Sequence, residues 1–227
     1  MTDDLFPRAM SLAVHELRTP VTVVSGYLRM LMREQAGPLT EKQKKMLEEA
    51  ERSCARISAL VSEMSELGKL ESGEAAFGTQ AIDIAALLVE LAIGMHEGDD
   101  RGVRVETRGT NEPVMVTGDR TRLAAAFRAL IHAAVRERGD PGVIVVECSI
   151  HTDTTPASAV VTIGDDATVR ELVDAARITP PINEWRGGLG LALPIGRRVI
   201  EKQGGVLWST AGDQPNAGSA FRLPLRT

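Results

Sequence analysis

The N-terminal third of the chain carries two stretches in which apolar residues recur at alternating steps of three and four. This spacing is the heptad seam of an amphipathic helix that packs against another helix. The first stretch predicts a helix over about residues 5–34, with its seam at Met10, Val14, Leu17, Val21, Val24, Leu28 and Leu31. The second predicts a helix that starts after Thr40, with its seam at Leu47, Ala50, Cys54, Ile57, Val61 and Met64.

A short turn separates the two predicted helices, so they are expected to form an antiparallel hairpin. Gly37-Pro38 is a stop signal for the first helix, and Thr40-Glu41-Lys42-Gln43 is a capping box that starts the second. One hairpin cannot bury both seams, and the predicted solution is a homodimer in which two hairpins form a four-helix bundle. The alternative is a bundle within one chain, covered by the C-terminal half.

After Glu71-Ser72-Gly73 the pattern changes to short strand-like runs that alternate with helices. We therefore expect an α+β protein with two domains, a hairpin over residues 1–72 and an α/β sandwich over residues 73–227. In the sandwich a mixed sheet carries helices on one face. Strands are predicted at 103–106, 114–116, 143–150, 159–163, 206–209 and 220–225, and helices at 83–91, 120–136 and 190–203.

Composition excludes several classes of function. The 227 residues are 43% hydrophobic and only 3% aromatic, and the net charge of −5 provides no basic surface for nucleic acid. Cys54, Cys148 and the four histidines lack metal-ligand spacing, so no zinc site is predicted. No apolar run reaches the length of a membrane span, and the expected location is cytoplasmic.

One histidine lies on the flank of the first seam, in the motif His15-Glu16-Leu17-Arg18-Thr19-Pro20. His15 follows the seam residue Val14, so its ring is expected to face a second macromolecule, with Thr19 one turn further on the same face. The motif in its heptad helix resembles the H-box of sensor histidine kinases, which dimerise through a helical hairpin and phosphorylate that histidine. The resemblance implies that His15 is the phospho-acceptor, Glu16 the general base, and Thr19 the residue that places water for phosphatase action.

A glycine-rich run, Gly187-Gly188-Leu189-Gly190-Leu191-Ala192, opens the last predicted helix. Glycines at a helix start let backbone N–H groups approach a phosphate. The run resembles the G2 box of the ATPase domain shared by histidine kinases, gyrase and heat-shock chaperones. This resemblance implies an ATP site formed by Gly187, Gly188, Gly190, Leu191, the adenine-reading Asp165 and the basic N-box residue Arg136.

Other boxes of this ATPase domain are altered. The two N-box asparagines fall on Ala129 and Ala133, and the second is the usual magnesium ligand of the family, for which alanine supplies no oxygen. We therefore predict no metal-ligating residue, and magnesium would reach the phosphates through water. Both glycines after Asp165 are replaced, by Ala167 and Val169, and the lid segment has no phenylalanine, although it carries Arg177 and Arg186.

The resemblance implies a protein-histidine kinase that phosphorylates His15 from ATP and passes the phosphoryl group to an aspartate in the receiver domain of a response regulator. An altered N-box beside an intact H-box leaves a second hypothesis, a phosphotransferase or response-regulator phosphatase whose C-terminal domain does not use ATP. A third is a non-catalytic dimeric docking scaffold, which would have no need of Glu16 and Thr19. Because such kinases usually carry a sensor before the H-box, we expect an excised catalytic portion or a protein regulated through partners.

Overall fold

The computed structural model describes residues 5–110, 112–152, 156–174, 183–184, 188, 190–210 and 218–226. The chain divides into two compact units, the first ending at Ala75 and the second beginning at Ala76. Among the described residues, no helix combines the length and the apolar character that crossing a membrane requires.

The first unit is a hairpin of two long helices, α1 (Leu5–Met32) and α2 (Glu41–Ser72). The capping box is present at the start of α2, where Oγ1 of Thr40 accepts a hydrogen bond from the Gln43 amide at 3.3 Å and Oε1 of Gln43 accepts one from the Thr40 amide at 2.9 Å. Gly73 ends α2 with a φ of 76°, a left-handed conformation that favours glycine. The residues buried in the hairpin are mostly seam positions: Val14, Cys54, Val61, Leu67 and Leu70.

The second unit is built on a five-stranded mixed sheet with the order β2-β4-β5-β7-β6. The first pair of strands is parallel and the other pairs are antiparallel. A separate two-stranded antiparallel sheet pairs β1 with β3. The strands are β1 (Gln80–Asp83), β2 (Val103–Gly109), β3 (Met115–Gly118), β4 (Gly142–His151), β5 (Ser158–Gly164), β6 (Val206–Ser209) and β7 (Ser219–Pro224).

Three helices cover one face of the five-stranded sheet: α3 (Ile84–Ile93), α4 (Arg120–Glu137) and α6 (Ala192–Lys202). Phe127 of α4 stacks on Phe221 of β7 with ring centroids 4.4 Å apart. α6 packs closely on α4 at Gly196, where a Cβ atom would lie 3.4 Å from the Cα of Ala126. This layer fixes the position of α4, which carries the N-box segment.

A sixth helix, α5 (Asp166–Asp174), covers the opposite face of the sheet. Trp208 and Ala220 point away from Phe221 because neighbouring side chains of a strand alternate between faces. They pack with Leu172 of α5, whose carbonyl accepts a hydrogen bond from Nε1 of Trp208 at 3.4 Å. The expectation that helices cover one face alone is therefore corrected, because the segment after Asp165 forms a helix rather than a glycine-box loop.

The predicted fold class is confirmed, since a helical hairpin precedes a mixed α/β unit. Every predicted strand and helix of the second unit is present within three residues of its expected bounds. Besides α5, the sequence missed the short strand β1 and the 3-10 turn Asp99–Arg101. Each of these three elements is short, so its apolar pattern repeats too few times to be recognised.

Candidate functional site

His15 lies on α1 with its imidazole in solvent. The side chains of His15 and Glu16 are 80% and 72% exposed, and Nδ1 of His15 lies 3.5 Å from Oε1 of Glu16. A carboxylate beside Nδ1 favours the tautomer with the proton on Nδ1, which leaves the lone pair of Nε2 for chemistry. The ring is therefore accessible, and its nucleophilic atom is the one remote from Glu16.

Thr19 lies one turn after His15 and is exposed on the same side of α1. The helix continues through Pro20, whose missing N–H removes the hydrogen bond that the Glu16 carbonyl would otherwise accept. Nearby, Oγ1 of Thr22 donates to the carbonyl of Arg18 at 2.8 Å. The structure thus brings His15, Glu16 and Thr19 together on two accessible turns of one helix.

The predicted phosphate-binding glycines lie in the second unit, just before α6. Gly188 and Gly190 have φ values of 60° and 63°, which residues with a Cβ atom rarely adopt. Leu191 follows at the N-cap position of α6. A Cβ atom at Gly188 would meet nothing within 4 Å among the described residues beyond its chain neighbours, so the space beside this residue is open.

Three candidate residues of this region, Gly187, Arg177 and Arg186, lie outside the described residues. Arg136 of α4 is described, and its Nη1 donates to the carbonyl of Gly188 at 3.4 Å. The structure therefore brings Arg136 to the glycine run.

Arg136 also belongs to a charged cluster with Glu97, which lies in the loop after α3. Oε1 of Glu97 accepts a hydrogen bond from Nε of Arg136 at 2.5 Å, and Oε2 contacts Nδ1 of His132. Burial raises the pKa of Glu97, but hydrogen bonds with Arg136 and His132 outweigh it and hold the pKa below its usual range. Sequence reasoning missed Glu97 because a single loop carboxylate 39 residues from its arginine belongs to no local pattern.

Asp165, the predicted adenine-reading residue, lies at the end of β5. Its Oδ1 accepts a hydrogen bond from the Thr168 amide at 2.9 Å, in the manner of a helix N-cap for α5. Its Oδ2 lies 3.7 Å from Nη1 of Arg138. The Thr168 amide, and to a smaller extent Arg138, holds the pKa of Asp165 below its usual range. Both carboxylate oxygens of Asp165 thus have partners within the protein.

The N-box positions test whether the chain can hold a magnesium ion. Ala133 is fully buried and Ala129 is 8% exposed, and their methyl groups provide no oxygen ligand. Within the described ranges, no group of three or more His, Cys, Asp or Glu side chains is placed to hold a metal. The described residues therefore do not fit a protein-bound magnesium ion.

The predicted residues therefore form two groups in different units. His15, Glu16 and Thr19 lie on the hairpin, whereas Arg136 and the described glycines lie in the α/β unit. Asp165 belongs to the α/β unit as well, where its hydrogen bond with the Thr168 amide connects it to α5.

Comparison with known proteins gives a consistent result for the hairpin and for the whole chain. Residues 8–73 match the family described as the His Kinase A (phospho-acceptor) domain. The signal transduction histidine-protein kinase BarA of Escherichia coli (strain K12) is 27% identical over 218 residues, covering 91% of this chain and 23% of BarA. The adaptive-response sensory kinase SasA of Prochlorococcus marinus (strain AS9601) is 26% identical over 227 residues, covering 96% of this chain and 58% of SasA.

Two solved structures share the fold. Full-length ShkA in complex with AMPPNP superposes with a TM-score of 0.74 and 23% identity, over 97% of this chain and 46% of ShkA. Histidine kinase ThkA in complex with the response regulator protein TrrA gives a TM-score of 0.57 and 20% identity, over 96% of this chain and 61% of that chain. The chain thus spans less than two thirds of each of these relatives. Residues 8–73 are a histidine phospho-acceptor domain, and the chain is a homologue of the two-component sensor histidine kinases.

Proposed function

We propose that this protein is a two-component protein-histidine kinase that phosphorylates His15 from ATP and passes the phosphoryl group to an aspartate of a response regulator. The observation that carries the proposal is the exposed imidazole of His15 with the Glu16 carboxylate 3.5 Å from Nδ1. This arrangement lies within the segment that matches the phospho-acceptor domain.

The chemistry at His15 requires an imidazole that is neutral and accessible. Nε2 attacks the γ-phosphorus of ATP, a P–N bond forms, and the bond between the γ-phosphorus and the bridging oxygen breaks as ADP leaves. Glu16 keeps the Nδ1 proton in place and stabilises the positive charge that develops on the ring. In the second step a carboxylate of the response regulator attacks phosphorus, and the P–N bond breaks.

Support for ATP as the phosphoryl donor comes from the glycine run and Arg136. Gly188 and Gly190 have positive φ values, the space beside Gly188 is open, and Arg136 contacts this segment through the Gly188 carbonyl. A guanidinium and unobstructed backbone N–H groups are the elements that bind a polyphosphate.

Support for a response-regulator partner comes from the surface beside His15. Thr19, Val23, Tyr27 and Met30 follow His15 along one side of α1, and all four are exposed. Exposed apolar side chains next to a polar reactive group are typical of an interaction surface. A relative with the same fold, ThkA, has been solved with a response regulator protein, and we propose that this stripe contacts a receiver domain.

We also propose that the hairpin forms a homodimer. The seam residues Leu17, Val24 and Leu31 are exposed in the single chain, at 42%, 49% and 36%. A second hairpin would bury them in a four-helix bundle. The free cysteines Cys54 and Cys148 are compatible with the reducing cytoplasm, where ATP and response regulators are available.

The test is incubation of the purified protein with ATP labelled at the γ-phosphate, alongside the variants His15→Gln and His96→Gln. His96 is an exposed histidine outside both groups of candidate residues. Acid-labile, base-stable label is expected on the wild-type protein and on His96→Gln, and no label on His15→Gln. Label that persists in His15→Gln would refute the assignment.

One observation favours a second candidate, a phosphotransferase or response-regulator phosphatase that does not use ATP. Ala129 and Ala133 are buried without an oxygen ligand, and Asp165 is engaged by Thr168 and Arg138. Under this function His15 would take label from a phosphorylated receiver domain but none from ATP, or Thr19 would support dephosphorylation of that receiver.

A further inference from the structure

Glu97 belongs to the charged cluster beside the glycine run, and the proposed mechanism leaves it unused. It reaches α4 from the loop between α3 and β2, and its side chain is 26% exposed. Its partners His132 and Arg136 are four residues apart on α4, so both point to the same side of the helix. The Glu97 carboxylate therefore contacts both His132 and Arg136.

The Arg136 guanidinium is shared between two anionic or dipolar acceptors. Nε donates to Oε1 of Glu97 at 2.5 Å, and Nη1 donates to the carbonyl of Gly188 at 3.4 Å. The first hydrogen bond is charge-assisted and short, and the second is long, so Glu97 is the dominant partner. The Glu97 carboxylate therefore sets the position of this guanidinium. It occupies the place beside Arg136 where a phosphate would be expected.

We propose that Glu97 competes with nucleotide phosphate for the Arg136 guanidinium and so weakens triphosphate binding in the resting protein. This inference rests on the proposed function, since it takes ATP as the ligand of the glycine run. A phosphate that binds the glycine run must replace the carboxylate at Arg136 or bind beside it. The carboxylate is ionised at neutral pH because Arg136 and His132 lower its pKa despite the opposing effect of burial, so the competition is between two anions.

The expected effect follows from Coulomb's law. A single negative charge roughly 6 Å from a phosphate, at an effective dielectric constant of about 40, changes a binding constant about tenfold. Removing the Glu97 charge should therefore tighten ATP binding by about three- to tenfold. AMP carries fewer charges and should respond less.

The experiment compares ATP and AMP affinities of the full chain by calorimetry for the wild type and Glu97→Gln. Glutamine has the shape of glutamate, and the site is a partly exposed loop, so the fold is expected to persist. The matched control is Glu90→Gln, because Glu90 of α3 forms the corresponding ion pair with Arg120 of α4 at 2.5 Å, at the other end of that helix. The control removes the same charge far from the glycine run, so ATP affinity should stay within about twofold of the wild type.

A third comparison places Glu97→Gln in an Arg136→Gln background. If the gain in affinity comes from a released guanidinium, most of it disappears there; if it persists in full, the effect is a general loss of negative charge and the inference is wrong. Unchanged or weaker ATP binding in Glu97→Gln would also overturn it. Absence of nucleotide binding by both the wild type and Glu97→Gln contradicts the inference together with the ATP step, whereas labelling of His15 by a phosphorylated receiver would show that the phospho-acceptor function still stands.

Discussion

At the scale of single residues, three carboxylates of similar chemistry have different roles because of their surroundings. Glu16 is exposed beside His15, where we propose that its charge orients a nucleophile. Glu97 is partly buried between His132 and Arg136, where its two oxygens contact an imidazole and a guanidinium. Asp165 caps α5 through the Thr168 amide. The side-chain partners, more than the residue type, determine what each group contributes.

Restoring the N-box asparagine at the position of Ala133 is expected to destabilise the protein. Its side chain is fully buried on α4, so asparagine introduced there would lose its contacts with water and lack a prepared partner. We expect Ala133→Asn to lower the free energy of unfolding by about 1–3 kcal/mol, measured by urea denaturation followed by circular dichroism. Ala125→Asn is the control, since Ala125 is exposed on the same helix. Its free energy of unfolding should change only by the difference in helix propensity.

If Ala133→Asn and Ala125→Asn unfold at the same urea concentration, the side chain at position 133 faces a space that accepts a polar group. A gain in ATP affinity by Ala133→Asn without loss of stability would point the same way. Either result would contradict the conclusion that the N-box positions cannot hold a ligand.

At the scale of secondary-structure elements, the start of α4 joins three parts of the second unit. The Asp119 carboxylate accepts hydrogen bonds from the amides of Gly78 and Arg122, both at 3.0 Å. The guanidinium of Arg122 lies 4.8 Å from the centre of the Phe77 ring. Oε1 of Gln203, at the end of α6, accepts a hydrogen bond from the Asp119 amide at 2.6 Å. Asp119 thus holds the segment before β1 and also caps the helix α4.

The amides of Gly78 and Arg122 lower the pKa of Asp119, so the stability that its charge contributes is present above the unfolded-state pKa of about 3.9 and is lost as the pH falls through the folded value. We expect Asp119→Ala to reduce the free energy of unfolding by about 1–2 kcal/mol near pH 7, and the difference from the wild type to shrink near pH 3. Asp119→Asn does not titrate and keeps one acceptor. A deficit of Asp119→Ala that stays constant across this pH range would contradict the assignment.

The accuracy of the sequence-based prediction differs between elements for physical reasons. The helices α1, α2 and α4 each contain several periods of an apolar stripe, and α2 and α4 also begin at a capping residue. These local signals predicted them. α5 was missed because its nine residues carry little more than two turns and begin at the acidic residues Asp165-Asp166. Its place on the far face of the sheet depends on Trp208 and Leu172, which lie 36 residues apart in sequence.

The candidate site divides in the same way. The His15 motif is contiguous, so the sequence was sufficient to predict its residues, and their roles remain a proposal. Glu97 and Arg138 affect the second group only through contacts that the folded chain creates, with Arg136 and Asp165 respectively. No periodicity or motif in one sequence indicates such pairs, because their partners are set by the packing of α4 against the loops.

At the scale of the whole molecule, the two groups of candidate residues impose different requirements. The group formed by Arg136 and the described glycines lies within the α/β unit, whose sheet and helices bury a continuous core. The hairpin has a much thinner core, with Val14 buried but Leu17, Val24 and Leu31 exposed along the same seam. An isolated two-helix hairpin of this kind gains little from burial, so its stability and the presentation of His15 should depend on assembly.

Assembly through the seam can be tested with two glutamate substitutions on α1. Val24 lies on the seam and is 49% exposed, whereas Leu12 lies off the seam and is 63% exposed. We expect Val24→Glu to raise the dimer dissociation constant by about 100-fold or more, because each dimer would bury two unpaired carboxylates. Leu12→Glu should leave the dimer intact, and glutamate is a good helix former, so neither change should unfold α1. Sedimentation equilibrium measures both, with the wild type expected at twice the chain mass of 24.4 kDa. A monomeric wild type, or equal weakening by both substitutions, would show that the seam is covered by something other than a second hairpin.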